Sequence, residues 1–188
     1  VSMCTPLQEA MLASLDAEEQ GLAGSAGLLQ TCAILRPGTD RTRFHAAWVA
    51  AQDACPILRT AFARLGGSYF QVLIRSGYVA PPLWTVGQVP LDFEAEVQQW
   101  LDADAARGFN LQRPGLYRLA LLEVPDGRQV LVFTVHNTVC DAWSCTALLS
   151  KVLAAHIGEA SWQVQQLSSK LVDGTYAERD VDAYAAYW

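Results

Sequence analysis

One stretch constrains this chain more than any other. Residues 128–144 read "RQVLVFTVHNTVCDAWS". From Val130 to Val135 every side chain is apolar except Thr134. An antiparallel strand with one wet face alternates apolar and polar residues; a nearly unbroken run predicts a strand buried on both faces, and so internal to its sheet. At its end the sequence turns polar at once, with His136, Asn137 and Asp141. It then resumes helical spacing in "AWSCTALLSKVLAAHI" (142–157), with Leu148, Leu149, Val152 and Leu153 on one side. Any fold for this chain must therefore hold a central strand, an ionisable loop at its end and a packed helix leaving that loop.

The rest of the chain fits around this unit. "TPLQEAMLASL" (5–15) is predicted as a short helix, with Thr5 and Gln8 in capping-box spacing and Pro6 at its first position. "SAGLLQTCAIL" (25–35) is predicted as a strand and "DRTRFHAAWVAAQDA" (40–54) as a helix ended by Pro56. Residues 57–65 and 68–74 flank Gly66-Gly67 and form a predicted hairpin. Gly77, Pro81 and Pro82 mark a loop, and residues 92–108 an exposed helix with an acidic start. Strands at 115–124 and 128–135 meet at the turn Pro125-Asp126-Gly127. Residues 158–180 are less regular, and 180–188 begin another helix. This order predicts an α/β two-layer sandwich on a mixed, largely antiparallel sheet. At 188 residues it is one domain or one large lobe, with enough chain to bury a core unaided.

Several function classes fall away. A net charge of −6 with scattered basic residues argues against nucleic acid and against a membrane-binding patch. No apolar run approaches the ~20 residues of a membrane span, and no signal peptide is visible. The leading Val1 points to a chain cut from a longer one. Five cysteines (4, 32, 55, 140 and 145), odd in number and without a CxxC, read as reduced, mostly buried thiols of a cytoplasmic protein. Phosphate-loop, dinucleotide and nucleophile-elbow signatures are missing. His136 and Cys140 lack a further ligand pair, so no metal is expected. His45 and His156 are expected to be packed or surface side chains.

The loop itself admits two readings. In one, Asp141 caps the following helix through a backbone N–H near Ser144, and His136 covers the strand end. In the other, the polar cluster is a reaction site, where a histidine would suit a general base near neutral pH.

The stretch "HNTVCDAWS" (136–144) resembles the active-site motif of nonribosomal peptide synthetase condensation domains: two histidines, three variable residues, Asp, Gly and often Trp-Ser. "CTPLQEAML" (4–12), in its fungal form, "CPILRTAF" (55–62), "GFNLQRPGLYRLALL" (108–122) and "DAYAAYW" (182–188) agree with other family segments in order and spacing. The resemblance implies one lobe, the N-terminal one, of the chloramphenicol acetyltransferase-like fold. In that fold two lobes enclose a tunnel entered from both ends by carrier-bound thioesters. It implies an amide-bond-forming acyltransferase of secondary metabolism, siderophore assembly included. Carrier domains and adjacent synthetase domains would be its partners, with phosphopantetheine arms brought by the carriers and no cofactor of its own. His136 matches the structural first histidine, Asn137 the catalytic second and Ala142 the glycine. Trp143 and Ser144 match the Trp-Ser pair, and Asp141 is implied to pair with Arg59. An Asn at the base position and a missing C-terminal lobe imply an impaired domain, or a degenerate scaffold or carrier-docking module. An isolated lobe is also expected to self-associate through an exposed inner face. A free-standing acyltransferase using coenzyme A thioesters ranks last, because it needs the histidine more plainly.

Overall fold

A computed structural model describes residues 1–19, 27–82 and 84–158. The readings made for 158–180 and for the helix at 180–188 fall almost wholly outside them. The described chain runs β1 (Ser2–Met3), α1 (Pro6–Glu19), β2 (Leu28–Leu35), α2 (Arg41–Ala54) and a 3₁₀ turn (Pro56–Arg59). It continues through β3 (Thr60–Leu65), β4 (Ser68–Leu73), β5 (Trp84–Gln88), α3 (Glu94–Ala106), β6 (Tyr117–Glu123), β7 (Gln129–His136) and α4 (Ala142–Ile157).

The capping box forms as read: Thr5 N–H donates to Gln8 Oε1 at 3.0 Å, and Gln8 N–H to Thr5 Oγ1 at 3.2 Å. Asp40 caps α2 by accepting from Thr42 N–H and Arg43 N–H. β3 and β4 pair antiparallel across Gly66-Gly67, whose φ angles of 58° and 91° only glycine adopts freely. Asp126 turns the chain between β6 and β7 by accepting from Arg128 N–H at 3.0 Å.

The four-stranded sheet has the order β2-β7-β6-β5. β7 is internal, antiparallel to β2 and β6, as its apolar run required. Leu131, Phe133 and Val135 face the core shared with α2 and α4, while Val130 and Val132 face α3 through Val97, Trp100 and Leu101. The expected sandwich thus has a third layer, α3, on the sheet's other face. Burying each such side chain stabilises the fold by roughly 1.5–3 kcal/mol. Trp48 of α2, fully buried, packs on Phe133 at 5.1 Å and stacks on Tyr117 at 5.9 Å, tying α2 to the two central strands.

Four features escaped the sequence. β5 lies where only a loop is expected, and it runs parallel to β6, supplying the parallel pair of the expected mixed sheet. β3 and β4 join β1 in a separate three-stranded sheet. Residues 57–59 form the 3₁₀ turn rather than strand, because Pro56 fixes its start. The helix expected to be exposed, α3, buries Val97 and Asp104.

Candidate active site

The loop between β7 and α4 is held from three directions. From β7, His136 N–H donates to Leu116 O at 3.0 Å, and Val139 N–H closes the turn onto His136 O at 3.1 Å. From β2, whose Leu28 pairs with His136, Gly27 O accepts Asn137 N–H at 2.7 Å. From α1, Gln8 Nε2 donates to Thr138 O at 3.1 Å, and Gln71 of β4 donates to Gln8 Oε1 at 2.8 Å. One residue of the capping box therefore also anchors the loop, and through Gln71 it links the loop to the smaller sheet.

His136 is 3% exposed. Thr138 N–H points at its Nδ1 at 3.3 Å, and Thr138 Oγ1 lies 2.8 Å from the same atom. A backbone N–H can only donate, so Nδ1 is the acceptor and Nε2 carries the proton. Nε2 sits over Gly27: a Cβ there would lie 2.9 Å from it and 3.1 Å from Asn137 Oδ1. With φ at +76°, Gly27 is required twice, by backbone and by close approach. Burial pushes the His136 pKa down to about 4, so the ring is neutral at physiological pH. The edge of Phe109 meets the ring at 6.3 Å, and the Arg118 guanidinium covers Phe109 at 4.0 Å. Arg118 is itself paired with buried Asp104 at 2.8 Å and donates to Gly108 O at 2.6 Å. This floor under the histidine was not read from the sequence; "GFNLQRPGLYR" carries Phe109 and Arg118, but nothing in its spacing shows Asp104 turning inward.

Asn137 is half-buried, and its Oδ1 is buried with no hydrogen-bond donor in reach. A buried acceptor without a partner is unusual in a folded chain. Asp141 is exposed and caps α4, accepting Ser144 N–H at 2.7 Å, a bond that also lowers its pKa. Ala142, Trp143 and Ser144 form the exposed first turn of α4, with Trp143 84% exposed.

The implied Asp141–Arg59 pair does not form. Arg59, 7% exposed, donates through Nε to Gln52 O at 2.9 Å, through one terminal nitrogen to Ile74 O and through the other to Asp53 O at 3.3 Å. It spends its charge on two carbonyls at the end of α2, where the helix dipole favours a cation, and on one just past β4. Asp141 spends its own at the start of α4, as that helix's N-cap.

His45 and His156 are packed side chains, beside Trp84 at 6.0 Å and Phe44 at 5.4 Å. Among the described residues no helix is long and apolar enough to cross a membrane, and no group of three His, Cys, Asp or Glu is placed to hold a metal.

Comparison with known proteins agrees with this geometry. The family model described as "Condensation domain" matches residues 2–188. AM-toxin synthetase of Alternaria alternata is 31% identical over 195 residues, covering 100% of this chain and 4% of that protein. A nonribosomal peptide synthetase of Aspergillus rugulosus is 29% identical over 150 residues, covering 80% of this chain and 2% of that protein. The chain thus spans a small part of these relatives. The starter condensation domain of the rhizomide synthetase RzmA has a TM-score of 0.73 at 18% identity, covering 100% of this chain and 48% of that one. The tallysomycin biosynthesis protein TlmII has a TM-score of 0.76 at 20% identity, covering 100% and 43%. About half of each solved chain is matched, which is the extent of one lobe.

Proposed function

The chain belongs to the condensation-domain family, and from that premise we propose that it forms the N-terminal lobe of a domain within a nonribosomal peptide synthetase, in a catalytically impaired form. The parent reaction joins a carrier-bound aminoacyl or peptidyl thioester to an amine. The amine nitrogen attacks the thioester carbonyl, loses a proton, and the carrier thiol departs. Carrier domains bring both substrates on phosphopantetheine arms, and the lobe needs no cofactor of its own.

The observation that carries this reading is Asn137, at the position where the resemblance puts the base. Its amide cannot take a proton near neutral pH. His136 does not replace it, because its Nδ1 is engaged by Thr138, its Nε2 is pressed over Gly27 and its pKa is about 4. An amide at this position supports a lesser role, orienting the amine by hydrogen bonding rather than taking its proton. The same residue favours the second reading, a docking module that holds carriers without turnover.

Losing a general base costs ~10²–10⁴-fold, whereas holding two reactants in register is worth ~7–11 kcal/mol and needs the opposite wall of the tunnel. The test is aminolysis of an aminoacyl-carrier thioester by a free amine, with the chain and with its Asn137→His variant. Neither is expected to exceed the protein-free rate. Acceleration by the variant alone would overturn the dependence on a second lobe; acceleration by the unaltered chain would overturn the impairment. Carrier binding without product under every condition would favour the docking reading.

A further inference from the structure

Cys140 and Cys145 flank the N-cap of α4. With Asp141 at the cap, Cys140 precedes the helix and Cys145 is its fourth residue. Apolar side chains at these two positions commonly staple a helix start. Here the staple is made of two thiols, 7% and 1% exposed, with their sulfurs 3.1 Å apart. That is closer than ordinary apolar contact at ~3.5–4.0 Å. A disulfide needs ~2.05 Å between sulfurs, so closure asks each side chain to move by roughly half an ångström.

We propose that Cys140 and Cys145 are a dithiol site that hydrogen peroxide converts to an intramolecular disulfide, fastening the loop after β7 to the first turn of α4. The contact between the sulfurs holds Cys145 below the usual thiol range and Cys140 above it, so Cys145 is the nucleophile. Its thiolate attacks one peroxide oxygen; an S–O bond forms, the O–O bond breaks, and the hydroxide leaving group is protonated. The Cys140 sulfur then attacks the Cys145 sulfenic acid, the S–S bond forms, and water leaves with the Cys140 proton. Two thiols and one peroxide give one disulfide and two waters. Peroxide is close to water in size, and the four residues between the two cysteines, Asp141 to Ser144, are all exposed. The remaining cysteines are placed differently. Cys32 is exposed on β2 and Cys4 is buried elsewhere in the core; Cys55, at the end of α2, is near enough for its charge to raise the Cys140 pKa. The disulfide would fix the chain three residues after Asn137, making the loop's freedom depend on oxidation state.

The reduced chain is exposed to hydrogen peroxide, quenched, unfolded, alkylated and mapped by peptide mass spectrometry. Two of the five thiols should be lost, with a Cys140–Cys145 linked peptide that a dithiol reductant reverses. Amide exchange over 137–145 should slow in the oxidised form. Cys140→Ser and Cys145→Ser should each abolish the link, and Cys32→Ser should leave it intact. The map of the unaltered chain decides the matter even if a variant fails to fold. The proposal is overturned if all five thiols stay alkylatable, if the link joins Cys55 instead, or if oxidation ends in sulfinic acids without a link.

Discussion

Arg59 and Arg118 are both nearly buried, at 7% and 8% exposure, yet the fold meets their charges in different ways. Arg118 has a carboxylate: Asp104 accepts from it through both oxygens, at 2.8 and 3.1 Å, and Phe109 covers its face. Arg59 is held by carbonyl oxygens of Gln52, Asp53 and Ile74. The first arrangement neutralises a charge, and the second spreads it over carbonyl dipoles at the end of α2 and just past β4. The family resemblance implies an ion pair for Arg59, but the structure gives one to Arg118. An arginine's partner is decided by what it lies beside when buried, and an exposed carboxylate such as Asp141 loses little by remaining in water.

The comparison breaks most sharply at Asp104. Asp104→Ala strands the Arg118 charge and is expected to cost ~3–5 kcal/mol in denaturant unfolding. It should also move the Phe109 and His136 resonances, since Phe109 packs on Arg118 and His136 on Phe109. A loss below 1 kcal/mol would mean that the carbonyls of Asp104 and Gly108 suffice, and that the two arginines are held alike after all.

His136 sharpens the comparison, because it is buried by giving up its charge. Its folded pKa, about 4, lies below the ordinary value of 6.5. Above pH 6.5 both states are neutral and this group adds no pH dependence. As pH falls from 6.5 to 4 the unfolded chain takes up a proton that the folded chain refuses, so stability drops, then levels once both are protonated. The drop is on the order of 3 kcal/mol. Comparing pH profiles of the wild type and His136→Asn isolates it, and an NMR titration of the ring should show a midpoint near 4. A midpoint near 6.5 would place the ring in contact with water.

Arg59→Met should cost about 2 kcal/mol, less than Asp104→Ala, since it removes the charge along with its donors and two of the three carbonyls left unmet are only partly buried. Asp141→Ala should have the smallest effect, the loss of one exposed helix cap. In the double variant the two effects should add. Measurable coupling between Arg59 and Asp141 would restore the ion pair that the geometry excludes.

Periodicity and local chemistry determined much of this protein. The apolar run of β7 was enough to place it inside its sheet, because a strand without alternation has no face to give to water. The capping box of α1, the Asp126 turn and the Asp141 cap involve residues two or three apart, whose meeting needs no knowledge of the fold. The motif at 136–144 located the candidate site. Tertiary structure alone decided what crosses the chain. β5 lacks a strong strand pattern and becomes a strand because β6 offers it an open edge. Gln8 reaches Thr138 across 130 residues, Gly27 makes room for His136, and Asp104 turns from an apparently wet helix into the core to meet Arg118. In each case the partner is distant in sequence, and which distant groups become neighbours is set by how the helices pack on the sheet.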